Sequence, residues 1–296
     1  MTEKTTVTLG TATPGGGFPV YGKALADTIN EADASLSVQT RNTKGSTENV
    51  PLLEAGQIDL GLVTGEVAHE ALAGVGRPPA DLCILSAMYS TAGMFVVRAD
   101  TTYRSIDDLK GRPVTFGAKG SGLVVLARYV LEGLGLDMNR DFHAVFLDQA
   151  GDGPKMVMDG RVAALWGGGT GWPGFVAVAS GPAGARFIVP DAEQIRRIQA
   201  RHPFLKTLTV PAGSYPGQDA PIVSVGSWAL IMARPALADD TAYRLARALN
   251  RGEAALGGRL AQARETTAAN TVAAATRLDL IHPGALRYLR EIGLIR

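Results

Sequence analysis

Lys44–Val63, KGSTENVPLLEAGQIDLGLV, reads as a glycine turn, a helix and a buried strand in immediate succession. Gly45 lets the backbone turn, Ser46 or Thr47 serves as N-cap, and Leu52, Leu53 and Ala55 supply an apolar stripe. Gly56 is the glycine expected just past a helix end. Ile58–Val63 alternates too little for a half-exposed strand, so it is expected inside a parallel sheet covered on both faces. Such a turn aims backbone N–H groups and small hydroxyls outward from a helix N-terminus, where anions are favoured.

The same strand–turn–helix order surrounds this stretch. Thr5–Leu9 reads as a strand, Thr11–Gly17 as a glycine-rich turn, Phe18–Ile29 as a helix, and Leu36–Thr40 as a second strand. Leu82–Leu85 and Met94–Val97 look like two strands leaving this unit, and Ser105 with Asp108 marks a short capped helix over Ser105–Leu109. Pro113–Phe116, the turn Gly117–Gly122 and the helix Leu123–Leu134 repeat the opening pattern. Phe142–Phe146, Ala163–Trp166 and Arg186–Val189 continue as strands, Val223–Met232 returns the chain to the first unit, and the rest is helical. Strands alternating with helices through short connections predict an α/β fold with two doubly wound sheets. The expected lobes are residues 1–97 with 226–296, and residues 98–225, joined by a hinge and holding a ligand in the cleft between them.

Composition narrows the function classes. The 296 residues are 46% hydrophobic, enough for a substantial core, and the formal net charge is +1 with no dense Lys/Arg block. A nucleic-acid surface is not expected, because phosphate binding needs clustered positive charge. Cys83 is the single cysteine, so there is no intrachain disulfide framework. No segment reaches the ~18 uninterrupted apolar residues of a membrane span.

Enzyme signatures fail one by one. His69-Glu70 begins HExxH, but residue 73 is alanine. His143, His202 and His282 lack metal-ligand spacing, and neither a GxxxxGK[ST] nor a GxGxxG phosphate cradle occurs. Gly120-Ser121-Gly122 lacks the outer glycine of a nucleophile elbow, and Cys83 in its apolar run reads as an inert thiol. No catalytic residue, metal or cofactor is expected.

Three glycine turns remain: Thr11–Gly17, Gly45–Thr47 and Gly117–Gly122. Singly, each is explained as a tight βα turn. Together they lie at the C-terminal ends of parallel strands, where open α/β sheets bind ligands. A carboxylate there gains roughly 0.3–1 kcal/mol from each helix terminus, and hydroxyls of Ser46, Thr47 and Ser121 add charge-assisted hydrogen bonds. Trp166-Gly-Gly-Gly-Thr-Gly-Trp172 is a fourth candidate. Its tryptophans form either an aromatic wall beside the ligand or ordinary core.

Five segments in order resemble the TAXI family of solute-binding proteins, which serve tripartite ATP-independent periplasmic (TRAP) transporters. They are VTLGTATPGGGFPVYG, KGSTENVPLLEAGQIDLGLVTGEVAHEA, FVVRADTTYRSIDDLKGRPVTFGAKGSG, SYPGQDAPIVSVGSWALI and HPGALRYLREIG. The resemblance implies a two-lobed, periplasmic-binding-protein-like (type II-like) fold and a periplasmic receptor, expected as a monomer, that closes on a small carboxylate and delivers it to a TRAP permease. It also implies that a signal peptide has been removed ahead of MTEKTTVTLG. Family ligand contacts carry over to Gly16, Gly17 and Phe18; to Ser46, Thr47 and Asn49; and to Gly120, Ser121 and Gly122. Two departures, Gly17-Phe18-Pro19 in the first turn and GGGTGWPG around the tryptophans, make the pocket less polar than the family pattern. They favour a carboxylate with an apolar or aromatic body, shaped by Phe18, Trp166 and Trp172, over glutamate.

Two other readings use the same fold. A ligand-sensing module of a signalling system would be expected to carry a DNA-binding helix-turn-helix or a kinase, and neither pattern occurs. An enzyme would need a charged group in the cleft, for which Arg41, Lys44 and Lys119 are the nearest residues.

Overall fold

The computed structural model describes residues 4–296, which form two compact units. Unit 1 takes in the described residues up to Ala12, then Phe18–Tyr89 and Trp228–Arg296; unit 2 takes in Thr13–Gly17 and Ser90–Ser227. The main divisions thus fall at residues 89/90 and 227/228, inside two long strands, where the sequence reading puts them at 97 and 225.

Unit 1 opens with β1 (Thr5–Gly10), α1 (Gly17–Ala32), β2 (Leu36–Arg41), α2 (Ser46–Glu54), β3 (Leu60–Val63) and α3 (Gly65–Ala73). β4 follows as one strand over Cys83–Arg98, not two. The intervening SAMYSTAG is rich in small residues and reads as a break, yet Ala87, Met88 and Tyr89 are buried and the backbone stays extended. Unit 2 continues with β5 (Pro113–Ala118), α4 (Gly122–Gly133), β6 (His143–Leu147), α5 (Gly153–Met158), β7 (Ala164–Gly168), α6 (Pro173–Ala179), β8 (Ala185–Ile188), α7 (Ala192–Arg201) and β9 (Lys206–Val210). β10 (Ile222–Ala233) leads back into unit 1, which closes with α8 (Asp239–Arg259), α9 (Ala268–Ala274) and α10 (Pro283–Glu291).

In unit 1 the strand order is β2-β1-β3-β10, with β1 parallel to β2 and β3, and β10 antiparallel to β3. The purely parallel surroundings expected for β3 are therefore corrected on one side. β3 also begins at Leu60, because Asp59 is used otherwise: its carboxylate accepts the Thr8 N–H at 2.8 Å and pairs with Arg234 at 2.8 Å. Alternation along the strands sends Val7, Leu9, Leu60 and Leu62 into one core with Leu25 and Ile29 of α1 and Leu245 of α8. Gly10 and Gly61, paired in register, face the other way; a Cβ on Gly10 would strike Ile58 and Asn49, and one on Gly61 would crowd Leu53 and Asn49. These two glycines let α2 lie close on the sheet.

Unit 2 has the order β4-β7-β5-β6, with β8 also on β4 and β9 on β10. Here too alternate residues feed opposite cores. Phe95, Val97, Phe116 and Trp166 meet Leu126 and Val130 of α4, while Met94, Val96 and Leu165 meet Val157 of α5 and Phe175 of α6. The sheet is covered on both faces, as a doubly wound unit requires. The Ser105–Asp108 capping box forms as read, with Asp108 accepting the Ser105 N–H at 2.9 Å, but it caps only a 3-10 turn over Asp107–Leu109.

Candidate binding turns

In unit 1 the turns after β1, β2 and β3 leave the same edge of parallel strands and are bound to one another by side chains. Asn49 is fully buried, and its Nδ2 reaches the carbonyls of Gly10 (3.3 Å), Thr11 (2.8 Å) and Leu62 (2.8 Å). Thr43 Oγ1 donates to the Thr11 carbonyl at 3.1 Å and accepts the Gly45 N–H at 3.1 Å. Ser46 Oγ accepts the Thr64 N–H at 3.0 Å, joining the α2 and α3 termini.

Ser46 Oγ and Asn49 Nδ2, on residues expected as ligand contacts, thus brace the turns. Gly45, with φ 116°, is the N-cap of α2, so neither Ser46 nor Thr47 occupies that position. Thr47 is exposed, and Phe18 is half-buried against the unit 1 core. Two buried oxygens here, Asn49 Oδ1 and Thr64 Oγ1, have no hydrogen-bond partner among the described residues.

Gly16 and Gly17 belong to unit 2. The Ala150 N–H donates to Thr13 Oγ1 at 3.2 Å, and the Gly151 N–H donates to the Pro14 carbonyl at 3.3 Å. Gly15, at φ 83°, lies so close that a Cβ would be 2.4 Å from Gly151 Cα. The same unit holds the Gly120–Gly122 turn. Ser121 caps α4, its Oγ accepting the Leu123 N–H at 3.2 Å, and Gly122 is the first helical residue.

The tryptophans resolve differently from an aromatic wall. Trp166 is 0% exposed, packs on Phe95 at 4.7 Å between ring centroids, and spends its indole N–H on the Leu123 carbonyl at 2.8 Å. It has no surface to offer a ligand. Trp172 is nearly as buried and lies over Gly167 and Gly174, where any Cβ would collide with its ring.

What holds this fourth turn is Tyr215, which the sequence reading leaves without a role. Its hydroxyl donates to the Gly169 carbonyl at 2.6 Å and accepts the Trp172 N–H at 3.1 Å. Burial pushes its pKa well up, so the phenol stays protonated. Only the SYPGQ segment hinted at it, and a lone tyrosine in a turn carries no period or spacing from which a partner 46 residues away is legible.

The helix ends also differ in charge. Glu48 and Glu66 stand in the first turns of α2 and α3, and Glu48 accepts the Lys44 N–H at 2.6 Å. α1 and α4 carry no acidic residue in their first turns. The first turns of α1 and α4 thus carry no acid to oppose the helix dipole, whereas that of α2 carries Glu48. Lys119 beside the α4 turn pairs with Asp148 at 3.4 Å, with both side chains in solvent, so it adds little fixed positive charge.

A profile of the NMT1-like family matches residues 9–293. Among solved structures, a protein from Bordetella bronchiseptica RB50 is similar at 15% identity and TM-score 0.60, covering 98% of this chain and 98% of its own. The alkanesulfonate-binding protein SsuA from Xanthomonas axonopodis pv. citri, bound to MOPS, is similar at 17% identity and TM-score 0.51, over 98% of this chain and 85% of its own. An ancestral arginine-binding protein bound to arginine matches at 15% identity and TM-score 0.52, over 88% of this chain and 98% of its own. At these identities the likeness is one of fold, the periplasmic-binding-protein-like α/β fold.

Proposed function

The chain belongs to the NMT1-like family, and on that premise we propose that it is an extracytoplasmic solute-binding receptor of the TAXI type, which captures a small carboxylate and passes it to the membrane permease of a TRAP transporter. The observation that carries the reading is the α4 terminus. It is a 12-residue helix whose N-terminus is capped by Ser121, preceded by Gly120 and free of acidic residues in its first turn. The Leu123 N–H is held by the Ser121 hydroxyl and the Val124 N–H by the Ser121 carbonyl. A carboxylate would therefore take the Gly122 N–H and hydrogen-bond to, or displace, the Ser121 hydroxyl, with no acidic side chain in the first turn to repel it.

Gly120, Ser121 and Gly122 at α4, with Gly16 and Gly17 of the same unit, are the contacts for the carboxylate in this reading. Ser46 and Asn49 act by holding the unit 1 turns in place. Similarity of fold to an alkanesulfonate-binding and an arginine-binding protein supports a small-solute ligand. Among the described residues no helix is long and apolar enough to cross a membrane.

A thermal-shift screen against amino acids, dicarboxylates and aromatic acids tests this. A true ligand at 100 times its Kd stabilises by about 2.7 kcal/mol, a rise of several degrees. A saturable shift with one acid and none with its neutral amide is the expected outcome. Shifts only with neutral solutes, or turnover of a bound compound, would contradict the carboxylate receptor.

A further inference from the structure

The first three residues of the late segment HPGALRYLREIG are each fitted to one place. Pro283 opens α10, where no N–H is needed. Gly284 lies against the first turn of α8, and a Cβ on it would be 2.0 Å from the Asp239 carbonyl oxygen and 2.9 Å from the Tyr243 nitrogen. His282 is 1% exposed, and its backbone N–H donates to the Ile84 carbonyl of β4 at 2.9 Å.

The ring of His282 bridges the same parts. Nε2 lies 3.0 Å from the Leu237 carbonyl, and Nδ1 accepts the Gly284 N–H at 3.2 Å. A carbonyl only accepts and an amide N–H only donates, so Nε2 carries the hydrogen and Nδ1 is bare. The neutral ring is the one form that satisfies both partners. Protonation at Nδ1 would set two hydrogens against each other and charge a buried ring.

We propose that the His282 turn is an acid-released latch, in which protonation of the ring at Nδ1 frees the start of α10 from α8 and from β4. The charged neighbours do not rescue the protonated form. The Asp239 carboxylate is 3.9 Å from Nδ1, but its side chain is 64% exposed and screened by water. On α8, Asp240 faces Arg244 and Arg287, and Tyr243 donates to Glu291 of α10 at 2.7 Å. At the start of β4, the Cys83 thiol is pushed up, first by burial and then by Asp81 and Asp239, so it stays neutral across the relevant range.

Burial holds the His282 imidazole below its ordinary value of about 6.5. A group lowered on folding contributes its full stabilisation above the ordinary value and loses it as pH falls from there towards the folded value. The latch is therefore closed at neutral pH and loosens in mild acid.

Hydrogen exchange on the full chain at about pH 7.5 and about pH 5, corrected for intrinsic exchange, tests this. Protection of α10 amides should fall by up to about 30-fold, the linkage ceiling for an imidazole titrating near 6.5 when exposed, while α1 amides change less. His282→Asn keeps an acceptor for the Gly284 N–H and removes the titration, so its α10 protection should be independent of pH. His202→Asn, in unit 2, should behave as wild type. Equal α10 protection of the wild type at both pH values overturns the latch, and so does a His282→Asn variant that loses protection as the wild type does. If His282→Asn does not fold, the wild-type comparison of α10 with α1 decides alone: a fall confined to α10 upholds the latch, and a uniform change removes it.

Discussion

At the residue scale, two buried side chains set the shape of turns that glycines alone would leave loose. Asn49 offers Nδ2 to three carbonyls at the ends of two neighbouring strands, β1 and β3, and Tyr215 closes the β7–α6 turn at both its ends. A buried polar group that loses its partner costs about 1–3 kcal/mol. Asn49→Leu, which strands the Gly10, Thr11 and Leu62 carbonyls, should therefore lower stability by about 2–4 kcal/mol, read from urea unfolding. Tyr215→Phe should cost less, about 1–3 kcal/mol, because the ring still packs on Phe175 and Phe187. An unchanged urea midpoint in either variant would show that the turn is held by something else. Trp166 was legible only as one of two alternatives. Its indole N–H partner, Leu123, is 43 residues away, and no local pattern distinguishes a wall from a core at that range.

At the scale of elements, periodicity reads well where a strand or helix is long and one face is apolar. The strands β1, β2 and β5 and the helices α1 and α4 were readable within a few residues for that reason. α3 is too short, at nine residues, for its apolar positions Val67, Ala68 and Ala71 to repeat beyond two turns, and small residues in the middle of β4 imitate a turn. α7 shows a missed local signal: Asp191 and Gln194 form a reciprocal capping box.

Close approach between elements is the other thing no pattern shows. Gly284→Ala should push α10 away from α8 and cost about 1–3 kcal/mol or more, since the obstructing atom is backbone. Gly15→Ala should cost a similar amount, about 1–2 kcal/mol from its left-handed φ with the clash against Gly151 added. If either variant unfolds at the wild-type urea concentration, the packing described for it is not what limits stability.

At the scale of the whole molecule, the order of strands and helices made the α/β class and the presence of two units readable, whereas the division points were not. They lie inside β4 and β10, which continue from one unit into the other without a Gly/Pro-rich linker, so composition does not change where the units do. The glycine turns themselves are legible in the sequence, but the side-chain bonds within them are not, because hydroxyls and amides in turns can serve bracing or ligand binding with the same residue types. The helix termini do differ in charge, with Glu48 and Glu66 in the first turns of α2 and α3 and no acid in those of α1 and α4, and the proposed carboxylate site rests on that difference. The most direct measurement is isothermal titration calorimetry of the best acid from the screen against its primary amide. The acid should bind one-to-one and saturably, with the amide weaker by at least about tenfold, since about 1.4 kcal/mol of charge-dependent contact is expected at the α4 terminus. Equal affinity for acid and amide would contradict a carboxylate receptor built on that helix end.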